Sequence, residues 1–239
     1  MRQTAIYYAV GPEGGVALLD TRRGRGRWRI FDPISAKLWC ATLNGVPVER
    51  AVDNLVARLT EQGLVTEARA RKDLTSVVAD LTRSRLLVPA RRTIGRPALP
   101  VRFAVAALPS FPVRLASKAG LALALVLLRC TPMRFVHAAA RGATWLPGKL
   151  ATAEDTEEVH AGVRQAGRAW IGRSACLEES LGTFLASALI GRRTRWVLGA
   201  AFLPQSAHAW VEADGSIIGQ GPEDRVWTYV SVLEVERSN

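Results

Sequence analysis

The first 31 residues hold three short runs rich in apolar residues, "IYYAV", "VALLD" and "RWRIF". The stretches "GPEGG" and "RRGRG" separate them. Short runs bounded by such Gly-rich turns predict a strand meander over Ile6–Val10, Val16–Asp20 and Arg27–Phe31. Helical periodicity then takes over. "DPISAKLWCATLNG" has Asp32 as an N-cap, Pro33 in the first turn, Leu38, Trp39 and Leu43 on one face, and a stop at Asn44-Gly45. "VERAVDNLVARLTEQG" repeats Val48, Val52, Leu55, Val56 and Leu59 before Gly63, and "TEARARKDLTSVVADLTRSRLL" aligns Ala70, Leu74, Val77, Val78 and Leu81. Three strands followed by three helices within residues 1–90 predict a small winged-helix-like module.

Residues 89–112 hold five prolines, and 91–112 read as a linker. Beyond it "VRLASKAGLALALVLLRC" and "TAEDTEEVHAGVRQAGRAWIG" read as helices, the second with its acids at the N-terminal end. "GRSACLEESLGTFLASALIGRR" places Leu177, Leu181, Phe184, Leu185, Ala188 and Leu189 at helical spacing, so a buried helix begins almost at Cys176. The strand "TRWVLGAAF" follows. In "SAHAWVEADG", His208, Trp210 and Glu212 alternate with Ala209, Val211 and Ala213 ahead of a turn. A three-residue hairpin loop, 213–215, would pair 212 with 216, 210 with 218 and 208 with 220, so Gln220 would stand opposite His208. A two-residue Asp-Gly turn would put Gln220 on the other face. The fold class is α+β, with the second domain at 113–239.

Composition narrows the classes. With 49% hydrophobic residues the 239-residue chain can bury a large core, which excludes disorder. The apolar run at 119–128 is about half of the roughly 20 residues a bilayer span needs. Lys118 and Arg129 bracket it, so it reads as a buried helix, with peripheral membrane attachment as the alternative. The N-terminus lacks a secretory h-region, and Cys40, Cys130 and Cys176 have no metal-ligand spacing. Both point to reduced thiols in a cytoplasmic setting, with no metal. The net charge of +11 is uneven: residues 91–150 carry 10 Lys/Arg and no Asp/Glu, whereas 151–239 carry 8 and 12. Nucleic-acid binding is disfavoured, because the third helix sets Glu67, Asp73 and Asp80 beside its basic residues.

Cys176 and His208 carry the candidate chemistry. A thiol at a helix start faces the positive end of the macrodipole, which favours thiolate, although Glu178 and Glu179 oppose this in part. A cysteine there, then a strand, then a histidine near the start of the next strand is the chain order of the papain-like and transglutaminase-like cysteine enzymes. A packed core cysteine and a structural histidine are the alternative. His137 and His160 lack a comparable setting.

Two resemblances extend this reading. Leu19, Asp20, Arg22, Gly24, Trp28, Ile30, Asp32, Ala36 and Trp39 match the pattern of PqqD-like elements that recognise leader peptides of ribosomally made precursors. In that family a leader adds as a strand to the meander edge and packs on the third helix, which here implies Trp28, Arg29 and Ile30 with Leu74 and Val78. Leu74 and Val78 individually fit a core role as well. "SACLEESL" and "AHAWVEADG" resemble the signatures of the lasso-peptide B protein, a transglutaminase-like cysteine protease that removes the leader. The resemblance implies Cys176 as nucleophile, His208 as base, no cofactor on this chain, and a ring-closing lasso cyclase partner that would carry any ATP site. The family's third catalytic residue is an acid about a dozen residues past the histidine; this chain has Gln220 there, and a glutamine carbonyl can still accept the Nδ1 proton. Another acyl-transfer enzyme and a DNA-binding regulator stay open as alternatives.

Overall fold

The computed structural model describes residues 5–93, 95–96, 99–103, 108–168, 175–220 and 229–237. The three runs form β1 (Ile6–Val10), β2 (Val16–Asp20) and β3 (Arg27–Phe31), an antiparallel meander. The helices are α1 (Pro33–Leu43), α2 (Val48–Glu61) and α3 (Glu67–Arg83). Asp32 caps α1 by accepting the Ile34 and Ser35 N–H groups at 2.9 and 3.1 Å. Trp39 is fully buried and donates its indole N–H to the Leu86 carbonyl at 3.0 Å, which satisfies its polar end.

The expected linker is woven into both halves. β4 (Arg91–Arg92) pairs parallel with β1, at the sheet edge opposite β3, and β5 (Val101–Phe103) belongs to a second sheet. Strands of two and three residues are too short to show a period, so in the sequence the prolines are the stronger signal. Between them Arg96 donates its N–H to Ser231 Oγ at 3.0 Å and its guanidinium to Glu234 at 2.7 Å.

The second half comprises α4 (Phe111–Cys130), α5 (Met133–Ala143), β6 (Lys149–Leu150), α6 (Ala153–Arg168), α7 (Cys176–Leu189), β7 (Arg192–Arg193), β8 (Arg195–Phe202), β9 (Gln205–Ala213), β10 (Ser216–Gln220) and β11 (Val230–Val235). Its main sheet has the order β11-β8-β9-β10-β5. α7 is central, packed on α4, α6 and β9. A Cβ on Gly120 of α4 would lie 2.6 Å from the Gly182 carbonyl oxygen and 2.7 Å from Ala186 Cβ of α7, so only glycine permits that approach. One face of α4, from Val113 through Gly120 and Leu121 to Leu128, is buried. The other leaves Phe111, Leu115, Leu123 and Val126 exposed, so the expectation of a buried helix holds for one face. Among the described residues α4 is the one helix long and apolar enough to cross a membrane.

The two halves share a core. Tyr7, Ala9, Ala17 and Leu19 on one face of the first sheet pack with Met133, Val136, Val230 and Val232. Ile6, Val16 and Leu18 on the other face pack with Trp39 and Leu81. The meander is therefore a middle layer between its own helices and the second half, covered on both faces.

The β9–β10 hairpin corrects the expected register. Its pairs are Ala213↔Ser216, Glu212↔Ile217 and Val211↔Ile218, which leaves a two-residue turn at Asp214-Gly215. Both turn residues take positive φ, +47° and +68°, the I′ geometry whose twist matches that of paired strands. That match outweighs the three-residue loop.

Candidate active site

Cys176 is the first residue of α7 and partly exposed; Ala175 before it is extended and exposed. Glu178, two residues further along that first turn, is buried. Its Oε2 accepts the Ala175 N–H at 3.3 Å, and its Oε1 accepts from Arg25 Nη1 at 2.9 Å, across the boundary between the halves. Ser180 accepts from Trp196 Nε1 at 3.1 Å, which sets α7 against the start of β8. Cys176 lies one turn before Ser180, about 6 Å further along the helix. α7 packs on β9, where His208 pairs with Gly199 of β8.

His208 is partly exposed. Its ring stacks on Trp210, with centroids 6.1 Å apart and an 18° interplanar angle, and meets Tyr229 at 5.4 Å. Strand alternation turns Ala209 and Val211 into the core with α7, and His208, Trp210 and Glu212 to the opposite face. A side chain on Gly199 would enter the Trp210 ring, so the aromatic cluster beside His208 needs that glycine. Glu212 is buried and accepts from Trp210 Nε1 at 2.9 Å, Arg195 at 3.1 Å and Arg96 at 3.3 Å. It ties β8, β9 and the segment around Arg96 together rather than holding the imidazole, four residues away.

Gln220 does not face His208 by simple hairpin pairing. With the observed turn, one-for-one counting would put residue 220 across from 209. Past Ile218 the ladder is irregular: Gly219 takes φ +82°, and pairing with β5 skips from Ile218 to Gln220. The Gln220 side chain lies outside the described residues. Asp214 is a turn residue, as its position on the strand implied.

The remaining histidines are buried. His137 Nδ1 lies 3.2 Å from Tyr7 Oη, and burial, followed by Arg141 and Arg91, lowers its pKa to about 4. His160 Nδ1 lies 3.1 Å from Thr183 Oγ1, and its ring fills the space over Gly219 where a Cβ would stand.

The five residues expected to line a peptide groove do not share one face. β3 is indeed a sheet edge. Arg29 reaches α3, with Nη1 2.8 Å from Asp80 and Nη2 2.9 Å from Ser84 Oγ. Trp28 and Ile30 point the other way, partly buried against the second half, as the two-residue period of a strand requires. Leu74 is a core residue among Leu38, Val52, Leu55 and Val56, while Val78 is partly buried beside it. On α3, Arg69 pairs with Asp73 and Arg71 with Asp53 and Glu67, so these cations are neutralised rather than presented to phosphate.

Sequence reasoning missed Tyr229 and Arg25. The alternation in "TYVSVLEV" carried a signal for the first; nothing in the sequence links Arg25 to Glu178.

Residues 119–234, from within α4 to β11, match the model of the transglutaminase-like superfamily, so this half is a transglutaminase-like core domain. Such a domain suggests Cys-His acyl-transfer or peptidase chemistry. No curated protein and no solved structure matches the chain.

Proposed function

We propose that the transglutaminase-like core is a cysteine peptidase that removes the leader from a ribosomally made precursor, of the kind that matures lasso peptides. The observation that carries the reading is Cys176 at the first position of α7, a helix packed on β9, the strand that bears His208. The reading requires thiol and imidazole to meet beyond the N-terminal end of α7, where Ala175 and Ala207 are both exposed, because Ala209 and Val211 fill the core under the helix and His208 stands on the opposite face. The thiol loses its proton to His208 and the thiolate attacks the scissile carbonyl carbon. The oxyanion accepts from the N–H groups at the α7 start, as a helix N-terminus favours. His208 then protonates the departing amine, and water hydrolyses the thioester to leave a leader with a free carboxylate.

Recognition would fall to the first half, whose order of strands and helices fits a PqqD-like element. A leader strand paired with the free edge of β3 would turn alternate side chains toward α3 and toward the peptidase half, because Arg29 faces one and Trp28 and Ile30 the other. Gln220 is the proposed orienting group. A bulge at Gly219 would set position 220 across from Trp210, a diagonal step from His208, and Tyr229 would hold the ring. The proposal includes a cytoplasmic setting and a ring-closing cyclase partner that holds any ATP site. It assigns no metal, cofactor or nucleic acid to this chain.

The test uses the peptide encoded by a short reading frame beside the gene. The wild-type chain should release a leader with a free carboxylate, detected by mass spectrometry, and Cys176→Ala should bind the peptide without cutting it. Cleavage by the alanine variant at a comparable rate would remove Cys176 from the mechanism; an amine-joined product would make the enzyme a transferase.

A further inference from the structure

We infer that Arg25, in the turn leading into β3, is a positioning residue for Cys176 that acts through Glu178. The Glu178 side chain is 4% exposed, and a carboxylate removed from water to that degree needs a countercharge and hydrogen bonds. Its two oxygens divide these tasks. Oε1 accepts from Arg25 Nη1 at 2.9 Å, and Oε2 accepts the N–H of Ala175 at 3.3 Å. The second bond ties the residue before Cys176 to the residue two after it, so one carboxylate holds the chain on both sides of the nucleophile. Among the described residues Arg25 is the ion-pair partner of Glu178.

The turn that carries Arg25 is itself held in place. Gly24 accepts the Met133 N–H at 2.8 Å, and Thr21 accepts the Arg134 N–H at 3.1 Å, both from the start of α5. The guanidinium is thus delivered by a loop docked onto the second half. Without it the Glu178 carboxylate is left buried and uncompensated; it turns toward water, releases the Ala175 N–H, and loosens the first turn of α7. β3, the open edge, begins at Arg27, two residues beyond Arg25. The half that offers the edge strand therefore also completes the cap over the nucleophile.

The kinetic arm rests on the peptidase reading; a second arm does not. In the full chain, Arg25→Ala, Arg25→Lys, Glu178→Gln and the Arg25→Ala/Glu178→Gln double variant are compared. The readouts are precursor cleavage, the rate at which iodoacetamide labels Cys176 as followed by peptide mass spectrometry, and thermal unfolding. Arg25→Ala should lower kcat about tenfold, with KM within about twofold, and shift the Cys176 labelling rate, as loss of one partner of a buried pair implies. Arg25→Lys should restore most of both. In the Glu178→Gln background no charge needs a partner, so adding Arg25→Ala should change little. An Arg25→Ala effect equally large in both backgrounds, or confined to KM, overturns the inference. If no variant cuts the precursor but labelling shows the same dependence of Arg25 on Glu178, the peptidase reading fails and the positioning role stands.

Discussion

Protonating His137 should unfasten the two halves. The imidazole is buried on α5 and meets Tyr7 of β1 across the shared core, with Nδ1 3.2 Å from the phenol oxygen and ring centroids 5.4 Å apart in an edge contact. Burial, then Arg141 and Arg91, lowers its pKa to about 4, so at neutral pH the ring is uncharged. In the unfolded chain the same group titrates near 6.5. The folded value is the lower one, so between about pH 6.5 and 4 the unfolded state binds more protons. Stability is complete above the unfolded value and is lost as pH falls through that window. A shift of this size corresponds to about 3 kcal/mol in full, of which about 2 kcal/mol is lost by pH 5. Urea unfolding of the wild type and of His137→Gln, which keeps a hydrogen-bonding partner for Tyr7 but does not titrate, should show a wild-type decline between pH 7 and 5 steeper by about 2 kcal/mol. The loss should appear in one cooperative transition, because the contact belongs to a core common to both halves. Equal slopes for the two proteins would refute the buried neutral histidine, and a decline confined to a separate N-terminal transition would refute the common core.

Gly120→Val should destabilise the chain by about 2–4 kcal/mol in chemical denaturation, since its side chain must displace α7 at Gly182 and Ala186; a change within about 0.5 kcal/mol would show that the helices separate freely. Ile30→Asp should weaken leader binding at least about tenfold in calorimetry, because the charge falls on the β3 edge beside the second half. Unchanged affinity would move the peptide elsewhere. Gln220→Ala should slow cleavage about tenfold while Gln220→Glu retains it, a comparison that single-turnover kinetics can make. Unchanged turnover in the alanine variant would leave the orientation of His208 to Tyr229 and Trp210.

The longer strands and helices were legible in the sequence. Short runs bounded by turn residues marked β1, β2 and β3, alternation marked β9, and helical spacing marked α1 to α3, α4 and α7, because their apolar side chains must leave water. The chemistry of position was legible too: a thiol at the start of an apolar helix requires only local pattern, and so does an imidazole near the start of an alternating strand. Asp32 as the cap of α1 followed from the same local rules.

What tertiary structure decided lies where local signals are silent or two local rules compete. Arg91–Arg92 and Val101–Phe103 are strands only because sheet edges at β1 and β10 offer them backbone partners. The hairpin loop after β9 had two acceptable lengths, and strand twist selected the Asp-Gly turn, shifting the Gln220 register. Leu74, Val78, Trp28, Arg29 and Ile30 share a groove in a family pattern, but their burial depends on what covers each face of the meander, and the second half covers one of them. Arg25 and Glu178 are 153 positions apart. No period or motif connects residues so distant; the buried carboxylate acquires its partner only when the two halves fold against each other.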